Sequence, residues 1–527
     1  MPSSRKPLSV AALVLAVVAL VVLGCQEGKQ GGEGKAAEAA PEPIVKRAPV
    51  RSARRLPNVV FIYTDDQEEA LFTRRFMPHT FRSLVDKGTL FEDSVTATPI
   101  CCPSRVSYIS GQYPHNSGVF SNSQGYPAFV EPENTLFAWM QRAGYTTAWF
   151  GKYLQRYEKE VNPKIPAPGT DEWAITVQPK YFDYSVFGDG KRTRPEAYNS
   201  DFLTHRAIDL IKRSEGSGRP FFMTLNYLAP HKGAGRKPGY CQSSAAPAPR
   251  DVGRFRDLAL PRPPSFDEED NADKRAYPDE ELLTPAKIRT LRIKHRCRAE
   301  SLQAVDRGVK RVVGAVSRAG ELDRTVFVVT SDNGFLKGEH RLAGKGIPYE
   351  EGIGVPLAIR VPPAYLDTPN PSPRVDELVT NIDLAPTILD LAESKPCANR
   401  DLCRRLDGRS LLPLIAGRSN DWPGDRTILI EGGGKGEPRC DYRGVRTTDE
   451  VLLERTEAAA DGKGCVAASE PELYDLRADP FQLENLVVTD RLGNTNLLNE
   501  MRSQLERLER CSGVRGRDPN QPGPFCE

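Results

Sequence analysis

Two uninterrupted apolar segments, far apart in the chain, constrain the fold more than any other feature. Residues 58–64 read NVVFIYT, and residues 325–331 read TVFVVTS. Apolar runs of strand length that lack alternation are typical of strands buried on both faces of a parallel sheet. Such a sheet needs helices on its two faces, so the sequence predicts an α/β fold.

The polar residues that follow these two segments suit a metal ion. Asp65 and Asp66 follow the first segment, and Asp332 and Asn333 follow the second. Open α/β sheets bind their ligands at the carboxyl ends of the strands, and adjacent carboxylates repel unless a cation neutralises them. Three carboxylates and an amide offer oxygen ligands, which favour Ca²⁺ over zinc. The alternative is a turn with solvent-exposed Asp.

The same pattern of a strand followed by a polar loop recurs between the two segments. Lys152 follows a predicted strand at 146–150, and His231 follows one at 220–227. Predicted helices alternate with these strands at 135–143, 201–213 and 302–316. A lone Lys or His in such a place is more often structural than catalytic, but several at one sheet edge favour a site.

Residues 99–105, which read PICCPSR, predict a helix start with unusual chemistry. Pro103 fits the first helical position and Gly111 the exit, which would put Cys101 just outside the helix N-terminus. Free backbone N–H groups, the helix dipole and Arg105 would favour an anion there. The alternative is that Cys101 and Cys102 only pack against the helix start.

The N-terminus predicts export. Residues 1–25 combine the basic Arg5 and Lys6, an apolar run over 8–23 and the closing sequence VLGC, which resembles a bacterial lipobox with Cys25 as the lipidated residue. An ordinary signal peptide and an uncleaved anchor are the alternatives, and both also export the chain. Residues 26–57 lack hydrophobic periodicity and predict a disordered tether. We therefore expect a lipoprotein of the bacterial cell envelope, facing outside the cytoplasm.

Export changes the interpretation of the eleven cysteines. If Cys25 carries lipid, Cys101 is the site residue and Cys102 packs, eight cysteines remain. Pairing of neighbouring cysteines predicts the bonds Cys397–Cys403, Cys440–Cys465 and Cys511–Cys526, which leaves Cys241 to pair with Cys297. Metal binding by these cysteines is less favoured, because no C-x-x-C pair occurs.

Length and composition divide the remainder into two parts. We predict a catalytic domain over 58–395, with a Pro-rich insertion at 233–290 that forms a rim or lid over the site, and a smaller α+β domain over 396–527. The chain has 72 Lys and Arg against 70 Asp and Glu. This balance argues against nucleic acid as the main partner.

Together these motifs resemble the sulfatases of the alkaline phosphatase superfamily. Residues 101–105 with Gly111 match the family's C-x-P-S-R signature, and the other motifs follow in order as DDQ at 65–67, GK at 151–152, APH at 229–231, SDNG at 331–334 and Lys345. Within the family, the chain looks like the N-acetylglucosamine-6-sulfatase group in these runs: CC at 101–102, GKYL at 151–154, SFDE at 265–268 with DK at 273–274, and SLQAVD at 301–306. The resemblance implies an alkaline phosphatase-like fold with a large mixed, mostly parallel sheet.

The resemblance also implies a mechanism. A maturation enzyme converts Cys101 to formylglycine, whose hydrate attacks the sulfur of a sulfate monoester, with a sulfated sugar or glycan as the expected substrate. Arg105, Lys152 and Lys345 would hold the sulfate, and His231 would protonate the leaving alcohol. One Ca²⁺ would be held by Asp65, Asp66, residue 101, Asp332 and Asn333.

One position departs from the family pattern. Leu154 stands where many sulfatases carry a His; His340 is a candidate substitute, whereas His115 is interpreted as structural. Two other functions remain open at this point. One is a phosphonate or phosphate ester hydrolase of the same superfamily, and the other is an inactive, surface-tethered glycan-binding protein.

Overall fold

The fold is taken from a computed structural model that describes residues 55–157, 165–234, 240–242, 244–277, 280–368, 371–433, 440–460, 465–490, 493–517 and 522–527. The strands among them are β1 (Asn58–Asp65), β2 (Thr89–Phe91), β3 (Ser94–Val95), β4 (Thr146–Gly151), β5 (Glu172–Thr176), β6 (Val186–Gly188), β7 (Lys191–Thr193), β8 (Phe221–Pro230), β9 (Thr325–Ser331), β10 (Leu336–Lys337), β11 (Ala343–Gly344), β12 (Leu357–Arg360), β13 (Arg374–Val375), β14 (Val379–Thr380), β15 (Ile428–Gly433), β16 (Asp441–Arg446), β17 (Glu450–Ala458), β18 (Cys465–Ala467) and β19 (Glu472–Asp475).

The α-helices are α1 (Pro78–Ser83), α2 (Cys101–Ser110), α3 (Pro114–Ser117), α4 (Leu136–Arg142), α5 (Asn199–Ser214), α6 (Pro285–Arg318), α7 (Glu350–Ile353), α8 (Leu384–Leu391), α9 (Leu412–Ile415), α10 (Leu486–Thr489) and α11 (Thr495–Leu508). Single 3₁₀ turns lie at Glu69–Leu71, Val85–Lys87, Tyr126–Ala128, Pro249–Asp251, Leu322–Arg324, Pro363–Tyr365, Asn381–Asp383 and Ser419–Asp421.

A ten-stranded sheet forms the centre of the fold, in the order β13-β2-β12-β9-β1-β8-β4-β5-β6-β7. The five strands from β9 to β5 all run parallel, and antiparallel strands flank them on both sides. The two segments that the sequence singles out are neighbours in this sheet, because β1 pairs with β9 from Asn58 to Thr64. The predicted large, mixed and mostly parallel sheet is confirmed.

The two faces of the sheet carry separate apolar cores, which explains why β1 is apolar throughout. Val60 and Ile62 point into a core shared with α5 and α6. Val59, Phe61 and Tyr63 point into a core shared with α2, α4 and α8. Because strand side chains alternate between faces, a strand covered on both sides must be apolar at every position.

A second, smaller sheet follows in the last quarter of the chain. It is antiparallel, in the order β15-β16-β17-β18, with β19 also paired to β17. Its core is completed by Met501, Leu505 and Leu508 on α11 and by Tyr349 and Ile353, which belong to the segment around α7. Residues 55–527 form one compact unit. The predicted boundary at 396 stays a prediction.

Three helices begin earlier than the sequence predicts, and for α5 the difference is only from residue 201 to Asn199. Helix α2 starts at Cys101, so Cys101 occupies the first helical position and Pro103 the third. The prediction that Cys101 lies just outside the helix was wrong, although Gly111 does end it with a left-handed φ of 67°. Helix α6 starts at Pro285 instead of residue 302, because its first half is charged and hides the apolar stripe.

All four predicted disulfide bonds are confirmed: Cys241–Cys297, Cys397–Cys403, Cys440–Cys465 and Cys511–Cys526. Cys101 and Cys102 are free thiols, and both are buried. The pairing thus leaves the two adjacent cysteines for other uses.

The predictions made for residues 1–25 and for most of 26–57 lie outside the described residues. Across the part of the chain that the structure describes, no helix is both long enough and apolar enough to cross a membrane.

Candidate active site

The candidate site lies at the carboxyl edge of the central parallel strands. Asp65 is the last residue of β1, Lys152 follows β4, His231 follows β8, and Asp332 follows β9. Because β1 is in register with β8 and β9, their ends bring these side chains to one point. Cys101 joins them at the start of α2.

Two buried acidic residues form the floor of the site. Asp65 is fully buried, and Asp66 follows it with a φ of 64°, a left-handed conformation that Asp tolerates better than most residues. This turn lets the Asp66 backbone N–H donate to Asp332 Oδ1 at 2.9 Å. The next backbone N–H, that of Gln67, donates to Ser331 Oγ at 2.8 Å. The loops after β1 and β9 are thereby locked together.

Neighbouring cations keep these two acids ionised. Burial alone would raise the pKa of Asp65, but the charges of Lys152, Lys345 and Arg105 hold its pKa well below the usual range. Burial also opposes ionisation of Asp66, whose pKa is nonetheless lowered, chiefly by Lys345. Two adjacent carboxylates therefore carry full negative charge in a buried place.

The guanidinium of Arg105 contacts Asp332, Asp65 and Asn226. Its Nε and Nη2 donate to Asp332 Oδ2 at 3.1 and 2.9 Å, and Nη2 lies 3.5 Å from Asp65 Oδ2. Its Nη1 donates to Asn226 Oδ1 at 3.0 Å, and its guanidinium lies over the Tyr63 ring. The side chain is fully buried. In this arrangement Arg105 fixes the carboxylates, and the sulfate contact predicted for it stays a prediction.

Two lysines bring positive charge from the rim of the site. Lys345 Nζ lies 2.5 Å from Asp66 Oδ1 and 2.6 Å from Cys101 Sγ, whereas Lys152 Nζ forms an ion pair with Asp65 Oδ2. Cys101 Sγ in turn lies 3.6 Å from Asp65 Oδ1. The side chain of Lys152 keeps 15% of its surface exposed and that of Lys345 keeps 18%, so an anion can reach both from solvent.

His231 completes the rim on the other side. Its Nδ1 lies 2.6 Å from the Lys232 carbonyl oxygen, and its Nε2 lies 3.8 Å from Asp66 Oδ2. The carbonyl accepts a hydrogen bond only from a protonated Nδ1, so Nε2 faces the site. Burial and the charge of Lys345 lower the pKa of His231 to about 4.

The donor set fits a divalent cation. Ligand atoms of Asp65, Asp66, Cys101 and His231 all lie within 4.8 Å of one another. Asn333 Oδ1 is buried and has no hydrogen-bond partner among the described residues, so a cation would satisfy it. Of the five predicted metal ligands, Asp332 lies beside this group, with its oxygens bound to Arg105 and the Asp66 N–H.

Cys102 is separated from this chemistry, although it is adjacent in sequence. Its side chain packs in the core beneath α2, and burial raises the pKa of its thiol to about 12. Its backbone N–H donates to Asn122 Oδ1 at 2.9 Å, which satisfies one free donor of the helix start. Cys101 faces the acids and Lys345, so the two cysteines differ in environment as predicted.

The two histidines considered as alternatives lie in other networks. His340 contacts Glu268 at 3.2 Å and Glu351 at 3.6 Å, and these partners raise its pKa to about 9 against the effect of burial. His115 contacts Glu431 at 2.8 Å and the Cys511 carbonyl at 2.9 Å, which joins α3 to the small sheet. Neither contacts the predicted site residues through any ion pair or hydrogen bond within the described ranges.

Leu154 lines an adjacent cavity of about 250 Å³ that opens beside Lys152 and His231. Its walls include the apolar side chains of Ile175, Val177 and Leu228. The position where many sulfatases carry a His therefore contributes apolar surface beside the site.

Sequence reasoning missed two residues that hold the site in shape. Asn226 lies within β8 and accepts from Arg105; a polar side chain in an otherwise apolar strand is the signal for it. Arg298 on α6 forms a buried ion pair with Glu68 and donates to the Asp66 carbonyl. Arg298 lies four residues before Leu302 on the buried stripe of the helix, and a charge on that stripe is its signal.

Known proteins resemble the chain in both sequence and structure. A family model described as sulfatase matches residues 57–394. The chain is 34% identical over 405 residues to the extracellular sulfatase SULF-1 homolog of Drosophila melanogaster, which covers 73% of this chain and 34% of that protein. It is 30% identical over 510 residues to human N-acetylglucosamine-6-sulfatase, which covers 89% of this chain and 87% of the relative. The chain thus spans about a third of the first relative's length and most of the second's.

Solved structures share the fold. One, described as a complex with its substrate D-glucosamine-2-N,6-O-disulfate, has a TM-score of 0.68 and 23% identity, and the match covers 86% of this chain and 97% of that one. A phosphonate monoester hydrolase from Silicibacter pomeroyi has a TM-score of 0.63 and 21% identity, covering 88% and 100%. With the family model matching more than half of its length, this chain belongs to the sulfatase family.

Proposed function

We propose that the protein is a sulfatase that hydrolyses a sulfate monoester of a sugar or glycan. The observation that carries the proposal is the meeting of Cys101, Lys345 and the two ionised acids Asp65 and Asp66 at one sheet edge. A binding protein has no need of a cysteine in such a place. N-acetylglucosamine-6-sulfatases among the similar sequences support the substrate class.

The nucleophile we propose is the hydrate of formylglycine at position 101. A separate maturation enzyme would supply the oxidant that removes the thiol and leaves an aldehyde on Cβ. Sγ is bonded to the same Cβ, so it stands in for a hydrate oxygen close to Asp65 and Lys345. One hydrate hydroxyl would give its proton to the unprotonated His231 Nε2 as its oxygen bonds to sulfur, and His231 would pass that proton to the alcohol oxygen as the S–O bond to the leaving alcohol breaks. The second hydroxyl would then give its proton to His231 Nε2 as the C–O bond to the sulfate group breaks, so the aldehyde reforms and sulfate leaves.

The other residues of the chain bind and orient the ester. Lys152 and Lys345 are the partly exposed cations, so they are suited to hold the sulfate oxygens. His231 Nε2 faces the site and is the group that we assign to carry a proton to the leaving oxygen. Arg105 and Asn226 keep the acids in position.

We also propose that one Ca²⁺ binds here. Asp65, Asp66 and Asn333, with Asp332 and the residue at position 101, would hold it through oxygen atoms. The unpartnered Asn333 Oδ1 and the two ionised neighbouring carboxylates support this assignment. A bound Ca²⁺ would supply positive charge that stabilises the anions of the reaction.

Mass spectrometry combined with a substrate comparison tests this function. The peptide that contains residue 101 should carry an aldehyde in active enzyme, and the enzyme should release sulfate from a 6-sulfated hexosamine and from an aryl sulfate. The matched control is Cys101→Ala, which should release none. An unmodified thiol in active enzyme contradicts the mechanism, and faster hydrolysis of a phosphonate monoester than of any sulfate ester assigns the chain to the rival reaction.

For location we propose a lipoprotein of the cell envelope, anchored through Cys25 and facing outside the cytoplasm. The lipobox-like sequence supports the anchor, and four disulfide bonds and extracellular relatives support export. Labelling with a palmitate analogue should mark the wild type but not Cys25→Ser. Equal labelling of both would contradict the anchor.

A further inference from the structure

Helix α6 carries an unusual excess of positive charge. It contains ten Lys and Arg residues in 34 positions, against the two acidic residues Glu300 and Asp306, both of which are buried. One of these cations, Arg298 near the middle of the helix, holds the Asp66 backbone at the active site. The other nine Lys and Arg residues of the helix have no role in the active site as described above.

In its second half the helix borders a groove. The groove lies between α5 and α6, has a volume of about 630 Å³, and has Lys212, Arg307, Lys310, Arg311 and Arg318 on its walls. No carboxylate among the described residues lines it. Only Arg307 has an ion-pair partner there, the buried Asp251. The other four cations form no ion pair with any described residue.

The floor of the groove is open because of a glycine. Gly314 lies in α6 about one turn before its end, and inside a helix glycine costs about 1 kcal/mol relative to alanine. A Cβ at this position would meet only the end of the Arg318 side chain, at 3.4 Å. A side chain would therefore fit without backbone clash, but it would fill the space between the cations.

The groove is separate from the active site. The active-site contact of α6 is at Arg298, and at about 1.5 Å per residue the groove begins about 14 Å further along the helix, at Arg307, and ends about 30 Å from Arg298, at Arg318. Its cations follow one helix face over about 16 Å. The row runs along the helix, so one long ligand can contact several cations at once.

We propose that this groove binds the sulfated polysaccharide of which the catalytic site hydrolyses one ester, so that it acts as a second binding site for polymeric substrate. The inference rests on the proposed function. A recessed, linear row of cations, of which all but Arg307 lack an ion-pair partner among the described residues, fits the repeated anionic groups of a flexible chain. A bilayer fits less well, because none of the exposed large apolar side chains lies in the groove to insert into lipid.

Binding and turnover of polymer test the proposal with heparin as the probe. In a Cys101→Ala background, which binds without turnover, Lys310→Gln/Arg311→Gln/Arg318→Gln should bind heparin about tenfold more weakly. Gly314→Leu should also weaken binding although it leaves the net charge unchanged. With Cys101 intact, both variants should raise KM for polymer and leave hydrolysis of an aryl sulfate within twofold.

The matched control removes the same charge elsewhere. Lys191→Gln/Arg192→Gln/Arg194→Gln lies on and beside the exposed strand β7 and should bind heparin like the wild type. Equal loss in this control, or unchanged binding in the groove variants, overturns the proposal. So does loss of binding to phosphatidylcholine–phosphatidylglycerol vesicles without loss of heparin binding, since that assigns the groove to lipid. The heparin measurements need no turnover, so they remain decisive even if no sulfate ester proves to be a substrate.

Discussion

The buried charge cluster behind the loop that we propose to bind Ca²⁺ gives a quantitative prediction. Glu68 pairs with Arg298, and Lys337 Nζ lies 3.7 Å from Glu68 Oε1 and 3.4 Å from Glu339 Oε1. All four side chains are at most 6% exposed. His295 also faces Glu68, but burial lowers its pKa to about 4, so it is neutral near pH 7. Two acids and two bases leave a net charge of zero.

Arg298→Met leaves this cluster with one uncompensated negative charge and removes the donor to the Asp66 and Pro230 carbonyls. Removal of one partner from a buried pair costs about 3–5 kcal/mol. Glu68→Gln leaves one uncompensated positive charge and is expected to cost a similar amount. The double variant restores neutrality, so it should be less destabilised than the sum of the two by about 2 kcal/mol or more.

Urea unfolding with the disulfides intact measures the cycle, and Ca²⁺ titration followed by intrinsic fluorescence adds a second measurement. Arg298→Met should also weaken Ca²⁺ binding, because the guanidinium holds the backbone at Asp66. Arg74→Met is the matched control: it breaks an exposed pair with Asp86 and should leave unfolding and Ca²⁺ binding unchanged. Additive effects of the two cluster variants would refute the charge argument.

Three further results are expected. Glu431 raises the pKa of His115 to about 9. The ion pair therefore stabilises the folded state by about 3 kcal/mol below pH 6.5, and this stabilisation is lost as pH rises through about 9. The difference in unfolding free energy between wild type and His115→Gln should shrink over that range, and a constant difference would refute this prediction. Cys102→Ala should retain turnover and lose about 1 kcal/mol of stability, because Cys102 only packs, whereas Cys101→Ala should lose turnover; loss of turnover in both contradicts the assignment. Chelation by EGTA should abolish turnover, lower the unfolding temperature and weaken inhibition by sulfate, with all three restored by Ca²⁺; activity that persists without divalent ions would exclude a metal role.

The sheet and its ligand edge could be predicted from sequence because burial on both faces leaves a clear mark. An apolar run such as residues 58–64 has few alternatives, and a strand end in this fold class is also a site position. The same local reasoning located Lys152, His231 and Asp332. Each of these residues lies just beyond a segment that its apolar pattern already predicts to be a strand.

Pairing partners within the site could not be predicted in the same way. Arg105 follows a cysteine at a helix start, which suggests an anion cradle, yet its fork is filled by Asp332 and Asn226. The groups that a buried guanidinium contacts depend on which residues β8 and β9 place beside it. The start of α6 was predicted wrongly for a related reason. The apolar stripe of this helix includes the charged Arg298, and only the ion pair with Glu68, which comes from another part of the chain, makes a charge at that position tolerable.

The charges of the site limit which esters it can favour. Asp65, Asp66 and Asp332 face Arg105, Lys152 and Lys345, so the charges of these six groups balance when all are ionised. A divalent cation would add two positive charges, which one monoanionic ester and one ionised nucleophile oxygen would cancel. Sulfate monoesters and phosphonate monoesters both carry the required single negative charge, whereas a phosphate monoester near neutral pH carries close to two. The excess charge of a phosphate monoester would be buried among carboxylates, so the site should select against it whichever of the two monoanions it hydrolyses.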